Sequence, residues 1–257
     1  MDFVKVKVQN RIGEVYLDRP SKKNALNAQF VQELLDTINI LEENDNCKII
    51  ILKSTGTVFC AGADLEYLQH LQGFTFDENL EDSSHLMQLF KKIYTSKKVI
   101  IAQIEGHAIA GGCGLATVCD FAFSVPEAKF GYTEVKIGFI PAIVMVILLR
   151  KIGEAKANEL LLTGDLFTAI EASDYGFVNK VYQKEIIGEE VRKFAMNLCE
   201  NTSQQSLAIT KEMIGHVQGM NFNDALEYAA KQNAHSRESD DCKKGIKAFL
   251  NKEKLTW

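Results

Sequence analysis

Several features that announce a function at once are missing from this chain of 257 residues. There is no basic excess: 29 Lys and Arg stand against 34 Asp and Glu, a net charge of −5. Binding to a nucleic-acid backbone rests on a basic surface, so a general nucleic-acid role is excluded. Local pairs such as Lys22-Lys23 and Lys97-Lys98 still suit one small anionic ligand. Six cysteines (Cys47, Cys60, Cys113, Cys119, Cys199, Cys242) form no CxxC pair and no metal-like spacing with histidine. They read as reduced thiols, and no metal is expected. The longest apolar run, "GFIPAIVMVILL", is about 12 residues, too short for a bilayer. No charged-then-apolar leader opens the chain, and the expectation is a cytoplasmic protein without membrane contact. Low-complexity linkers and exact internal repeats are also absent.

What is present is alternation. "FVKVKVQNRIGEVYLDRP" reads as a hairpin around an Asn-Arg-Ile-Gly turn. Next comes a helix capped by Asn27, with Phe30, Leu34, Ile38 and Leu41 at helical spacing. "CKIIILKS" and "KKVIIAQIEG" are short continuous apolar strands of the buried type. Between them, "TGTVFCAGADLEYLQHL" turns helical near Asp64, residues 77–84 form a polar stretch, and "HLMQLFKKIYTS" is an amphipathic helix. "FAFSV" and "AKFGY" are further strands, and from Ala142 the chain is mostly helical. Helices alternating with short strands indicate an α/β class.

The stretch "GHAIAGGCGLATVCD", residues 106–120, crowds four glycines between a strand and a short helix. Glycine is costly inside regular structure, so the cluster marks a close approach to the backbone. Amide groups at a helix start are unpaired and lie at the positive end of a dipole, a geometry that suits an anion or a developing oxyanion. Neither GxGxxG after a strand nor a GKS/T motif is present, which sets aside dinucleotide and P-loop readings.

In its full context this junction resembles the signature of the enoyl-CoA hydratase/isomerase (crotonase) superfamily. So do "RPSKKNALN", "FCAGADL", "ELLLTGDLFTAIEASDYGFVNKV" and "GIKAFLNKEK", in family order over nearly the whole chain. The resemblance implies a crotonase-type spiral of ββα repeats over residues 1–195 and a C-terminal helical trimerisation region over 196–257. It implies a homotrimer or dimer of trimers, an acyl-CoA substrate, and no cofactor beyond the coenzyme A that the substrate carries. The implied oxyanion hole is the N–H groups of Ala63 and Gly111; Ala61, Ala63, Asp64, Lys22 and Lys23 are the implied coenzyme A contacts. Asp64 also reads as a helix cap, and Lys22, Lys23 and Lys252 equally as solvated charges.

Hydratases of the superfamily hold one water between two glutamates. The second maps onto Glu134, whose apolar setting suits an acid/base with a raised pKa. The first maps onto Gly114, so one carboxylate is missing. Addition of water needs both a base for the water and an acid for the α-carbon. Moving a double bond needs only one group, and the remaining site leans toward isomerisation. Alternatives are a 2-enoyl-CoA hydratase (including a methylglutaconyl-CoA-type hydratase), an acyl-CoA decarboxylase, or a non-catalytic acyl-CoA-binding scaffold. A second departure replaces a Gly-rich turn by "PAIVMVILL": Ile143, Val144, Met145 and Val146 either narrow and dry the acyl pocket or are core residues of a repacked helix. Glu66, His85, Glu105 and His107 are candidates to replace the missing glutamate by proximity alone. Cys113 reads as an apolar filler.

Overall fold

A computed structural model describes all 257 residues, Met1–Trp257. The hairpin β1 (Val4–Gln9) and β2 (Ile12–Leu17) closes on two residues only, Asn10 and Arg11, both with positive φ. That is the tight turn matching strand twist; Ile12 and Gly13 already belong to β2, so the turn is shorter than the sequence suggests. α1 (Ala28–Glu43) starts at Asn27, whose side chain accepts the Phe30 N–H, and buries Phe30, Leu34, Ile38 and Leu41.

A repeating unit follows. β3 (Ile49–Ser54) and β4 (Val58–Cys60) precede α2 (Leu65–Leu71) and α3 (Phe76–Thr95). β5 (Val99–Ile104) and β6 (His107–Ile109) precede α4 (Gly111–Thr117). β7 (Phe121–Ser124) and β8 (Lys129–Gly131) precede a 3-10 turn, Thr133–Ile137, then α5 (Ala142–Ile152) and α6 (Glu154–Thr163). Each repeat gives its first strand to one sheet and its second to another, which is the expected ββα spiral. After β9 (Phe167–Thr168), α7 (Ala169–Asp174) and β10 (Lys180–Val181), the large sheet has the order β1-β2-β3-β5-β7-β10 and the small one β4-β6-β8-β9. The strands of β2-β3-β5-β7-β10 are parallel, and β5 is buried at all six residues.

Residues 77–84 are not an interruption. α3 starts at Phe76 behind a capping box of Thr75 and Glu78, and its polar first turns are simply its solvated part. The boundary drawn at 195/196 falls inside α8 (Lys184–Asn201), which packs on β2, β3, β5 and β7 as part of the core. α9 (Gln204–Val217) still packs on α3 and β5, and the chain then continues as α10 (Phe222–Glu238), packed on α9, and α11 (Asp240–Asn251), packed on α10.

Candidate active site

β4 and β6 lie side by side and parallel, so the loops leaving them, residues 61–64 and 110–111, emerge at one sheet edge. A Cβ built on Gly62 would stand 2.9 Å from the Ala110 Cβ and 3.5 Å from the Gly111 nitrogen. The two segments proposed to make an oxyanion hole therefore touch.

Each segment aims one free amide. Ala63 sits in a parallel bridge with Leu26: the Leu26 N–H donates to the Gly62 carbonyl at 2.7 Å, and the Asp64 N–H donates to the Leu26 carbonyl at 2.8 Å. Those bonds use the groups flanking Ala63, so its own N–H points to the opposite side of the strand. It has no acceptor within the chain, and Ala63 is exposed. Gly111 opens α4, where an N–H has no helical acceptor. The preceding Ala110 has φ 50° and ψ −125°, a conformation that costs a side-chain-bearing residue about 1–3 kcal/mol. Its N–H is fixed to the Gly131 carbonyl at 2.7 Å, and its ψ sets the direction of the Gly111 N–H. At the far end of α4, half-buried Lys151 donates from Nζ to the carbonyls of Thr117 and Cys119, at 3.0 and 2.8 Å. A cation there complements the helix dipole whose positive end lies at Gly111.

The other glycines of the junction are there for space. A Cβ on Gly112 would lie 2.1 Å from the Cys60 carbonyl oxygen, so α4 packs on β4 only without a side chain there. A Cβ on Gly114 would lie 2.9 and 3.1 Å from Cε2 and Cζ of Phe90, and 3.3 Å from the Val144 Cβ. The direction in which a glutamate would leave this position is filled by the buried Phe90 ring, reaching in from α3.

Glu134 stands on the 3-10 turn three residues beyond Gly131, half-buried rather than on a strand surface. Its Oε2 is the one buried side-chain oxygen or nitrogen in the molecule with no hydrogen-bond partner. Burial pushes its carboxyl above the usual range, outweighing the lowering by its own backbone N–H. The turn that carries Glu134 follows β8, whose Gly131 carbonyl takes the Ala110 N–H, so it leaves the sheet next to the oxyanion segments. Burial pushes the Cys113 thiol up to about 12, so it is an apolar filler and not a nucleophile.

Each candidate to replace the second carboxylate is engaged with another partner. Glu105 takes a hydrogen bond from Gln103 at 2.6 Å, and His107 accepts the Lys129 N–H at 3.1 Å. His85 pairs with Gln32, and Glu66 with Lys22. Asp64 is buried: one oxygen caps α2 at the Glu66 N–H, the other meets Arg19 at 2.6 Å. Burial alone would raise its carboxyl; Arg19 and the backbone amides outweigh that and hold it low. Asp64 thus braces the loop, with neither oxygen free for a ligand. The Ala61 N–H is spent on the Lys23 carbonyl at 3.1 Å, which seats the exposed Lys22 and Lys23 beside this loop. On α5, only Val144 of the four residues in question is buried and faces Gly114; Ile143 is half-buried, and Met145 and Val146 lie on the outer face. The sequence carries no signal for the role of Phe90, an apolar residue at helical spacing, and places Arg19 only at the head of the RPSKKNALN motif, without its partner Asp64.

The enoyl-CoA hydratase/isomerase family profile matches residues 7–257. A Thermus thermophilus protein provisionally named an enoyl-CoA hydratase is 39% identical over 244 residues, covering 95% of this chain and 96% of that protein. The crotonyl-CoA hydratase of Syntrophomonas wolfei is 31% identical over 97% of this chain and 95% of its own length. A solved Legionella pneumophila structure, provisionally described as an enoyl-CoA hydratase/isomerase (crotonase), superposes with a TM-score of 0.90 at 34% identity, covering 99% of this chain and 98% of that one. With the spiral of ββα repeats, the paired amides and the whole-length match in agreement, this chain belongs to the enoyl-CoA hydratase/isomerase family.

Proposed function

We propose that this enzyme moves the double bond of an enoyl-CoA thioester from the 3,4 to the 2,3 position. The thioester oxygen accepts the N–H groups of Ala63 and Gly111, and the Glu134 carboxylate removes a proton from C2. The dienolate keeps its negative charge on that oxygen, and Glu134 returns the proton to C4. Substrate and product have the same composition, so no co-reactant is required. One oxyanion donor is worth about 3–4 kcal/mol of barrier in mutational precedent.

The observation that carries this reading is Glu134 Oε2, buried and without any partner in the chain. An unpaired buried carboxylate oxygen is expensive, and a substrate proton is what completes it. The filling of the Gly114 site by Phe90 and Val144 is what favours isomerisation over water addition, because no second acid/base is seated opposite. Lys22 and Lys23 are proposed to meet the coenzyme A phosphates, with Ala61 and Ala63 along the pantetheine, and Asp64 acting through the loop it braces. No cofactor other than substrate-borne coenzyme A is proposed, and the working unit is proposed to be a homotrimer or dimer of trimers in the cytoplasm.

Hydration of a 2-enoyl-CoA is the second reading, and the names of the Thermus and Syntrophomonas relatives favour it. Mass spectrometry of 3-enoyl- and 2-enoyl-CoA panels incubated with the enzyme in deuterated water separates the two. Double-bond movement with deuterium exchange and no added water is the result expected. A product heavier by one water would replace isomerisation with hydration.

A further inference from the structure

We infer that Arg19 is a positioning residue for the oxyanion site, because one guanidinium nitrogen ties together the two segments whose pairing aims the Ala63 N–H. Arg19 Nη1 lies 2.6 Å from Asp64 Oδ2 and donates to the Ala25 carbonyl at 3.0 Å. Asp64 and Ala25 are the immediate neighbours of Ala63 and Leu26, the two partners of the bridge. A single group therefore holds both sides of the register that turns the Ala63 amide outward.

The clamp is built on rigid ground. The Arg19 N–H donates to Asn24 Oδ1 at 2.8 Å, and the Asn24 amide donates to the carbonyls of Thr55 and Val58, at 2.9 and 2.8 Å. The segment is thus sewn to the chain between β3 and β4. The guanidinium lies 4.9 Å from the centre of the Phe3 ring, and its side chain and that of Asp64 are only 12% and 5% exposed. In such a dry setting, losing the guanidinium leaves a buried carboxylate unpaired. The carboxylate then moves, and with it the loop. A slip of one residue in the bridge would turn the Ala63 N–H toward Leu26 and away from the substrate.

The inference rests on the enolate reading, and the test keeps their failures apart. The probe is a 2,4-dienoyl-CoA chromophore, whose absorption moves to the red when its thioester carbonyl is polarised by amide donors. Wild type and Glu134→Gln should both give the full red shift at saturation, since neither changes the amides. Absence of the shift from both would overturn the enolate reading and the inference with it. Given that shift, Arg19→Gln should lower it per bound molecule. It should also cut kcat for 3-enoyl-CoA by roughly 10- to 100-fold, the cost of a small misplacement, with KM changed only a few-fold. Arg19→Lys, which keeps the charge, should recover part of both; it also serves if Arg19→Gln does not fold, then lying between wild type and no shift. A full shift with unchanged kcat in either folded variant would overturn the role, as would a loss confined to affinity or melting temperature.

Discussion

At the scale of single residues, Glu134 is held in an environment that works against the fold. Its folded-state pKa is raised by burial, so between the unfolded and folded values the folded chain keeps a proton that the unfolded chain has released. Stability from this group is therefore lost as pH rises through that window. Glutamine carries no such penalty, so Glu134→Gln should melt at a higher temperature than wild type near neutral pH. The difference should shrink as pH falls below the ordinary glutamate range, about 4.3. A variant less stable than wild type at neutral pH would mean that the carboxylate is satisfied after all. Phe90 and Gly114 form the second residue-scale pair. Gly114→Glu alone should be destabilised and gain no hydratase activity, because its Cβ would stand 2.9 Å from the ring. In a Phe90→Ala background the same glutamate should cost less, with a coupling on the order of 0.5–3 kcal/mol in a denaturant double-mutant cycle. Additive effects would show that the ring yields freely and is not the obstacle.

At the scale of elements, α4 is a short helix asked to do three things: pack on β4, leave room for Phe90, and present Gly111. Gly112→Ala brings a methyl to 2.1 Å from the Cys60 carbonyl oxygen, a backbone atom that cannot step aside. Denaturant unfolding should show a loss of about 1–3 kcal/mol or more, the range of overpacking. An unchanged midpoint would contradict the packing account. This junction also shows where sequence reading succeeds and where it stops. The glycine run was legible as a close approach, and the Asn27 and Asp64 caps were legible as caps, because local chemistry specifies them. That one glycine faces a carbonyl and another an aromatic ring is a matter of contacts 52 and 24 residues distant in the chain, Gly112 to Cys60 and Gly114 to Phe90. The same limit explains α5. Its apolar run could not say which side faces the site, and only the packing turns Val144 inward and Met145 and Val146 outward. The start of α3 is hard to see in sequence because its polar first turns resemble a loop unless the Thr75–Glu78 capping box is given weight.

At the scale of the whole molecule, several large apolar side chains stand in solvent. Leu65, Phe76, Phe222 and Phe249 are each more than 75% exposed, and Ile137 and Leu250 more than 70%. They sit on α2, α3 and the 3-10 turn that carries Glu134, and on α10 and α11 of the helical region. Exposed apolar surface of this kind is what the proposed trimer or dimer of trimers would cover. Sedimentation should find a trimer or hexamer at micromolar concentration, and Phe249→Asp or Phe222→Asp should shift it toward smaller species. A stable monomer in the unmutated protein would contradict that assignment. The C-terminal region is itself tied to the core, since Arg11 donates to the Trp257 carbonyl at 2.6 Å and the Trp257 N–H to the Glu200 carbonyl at 3.0 Å.

The most direct test of the central claim is single-turnover conversion of a 3-enoyl-CoA by wild type and Glu134→Gln, with product binding measured on the same preparations. A lone acid/base predicts that the rate falls by at least 10²- to 10⁴-fold, on the order expected for general acid–base catalysis, while binding is unchanged. A variant that still moves the double bond within tenfold of the wild-type rate would show that the proton travels by another route.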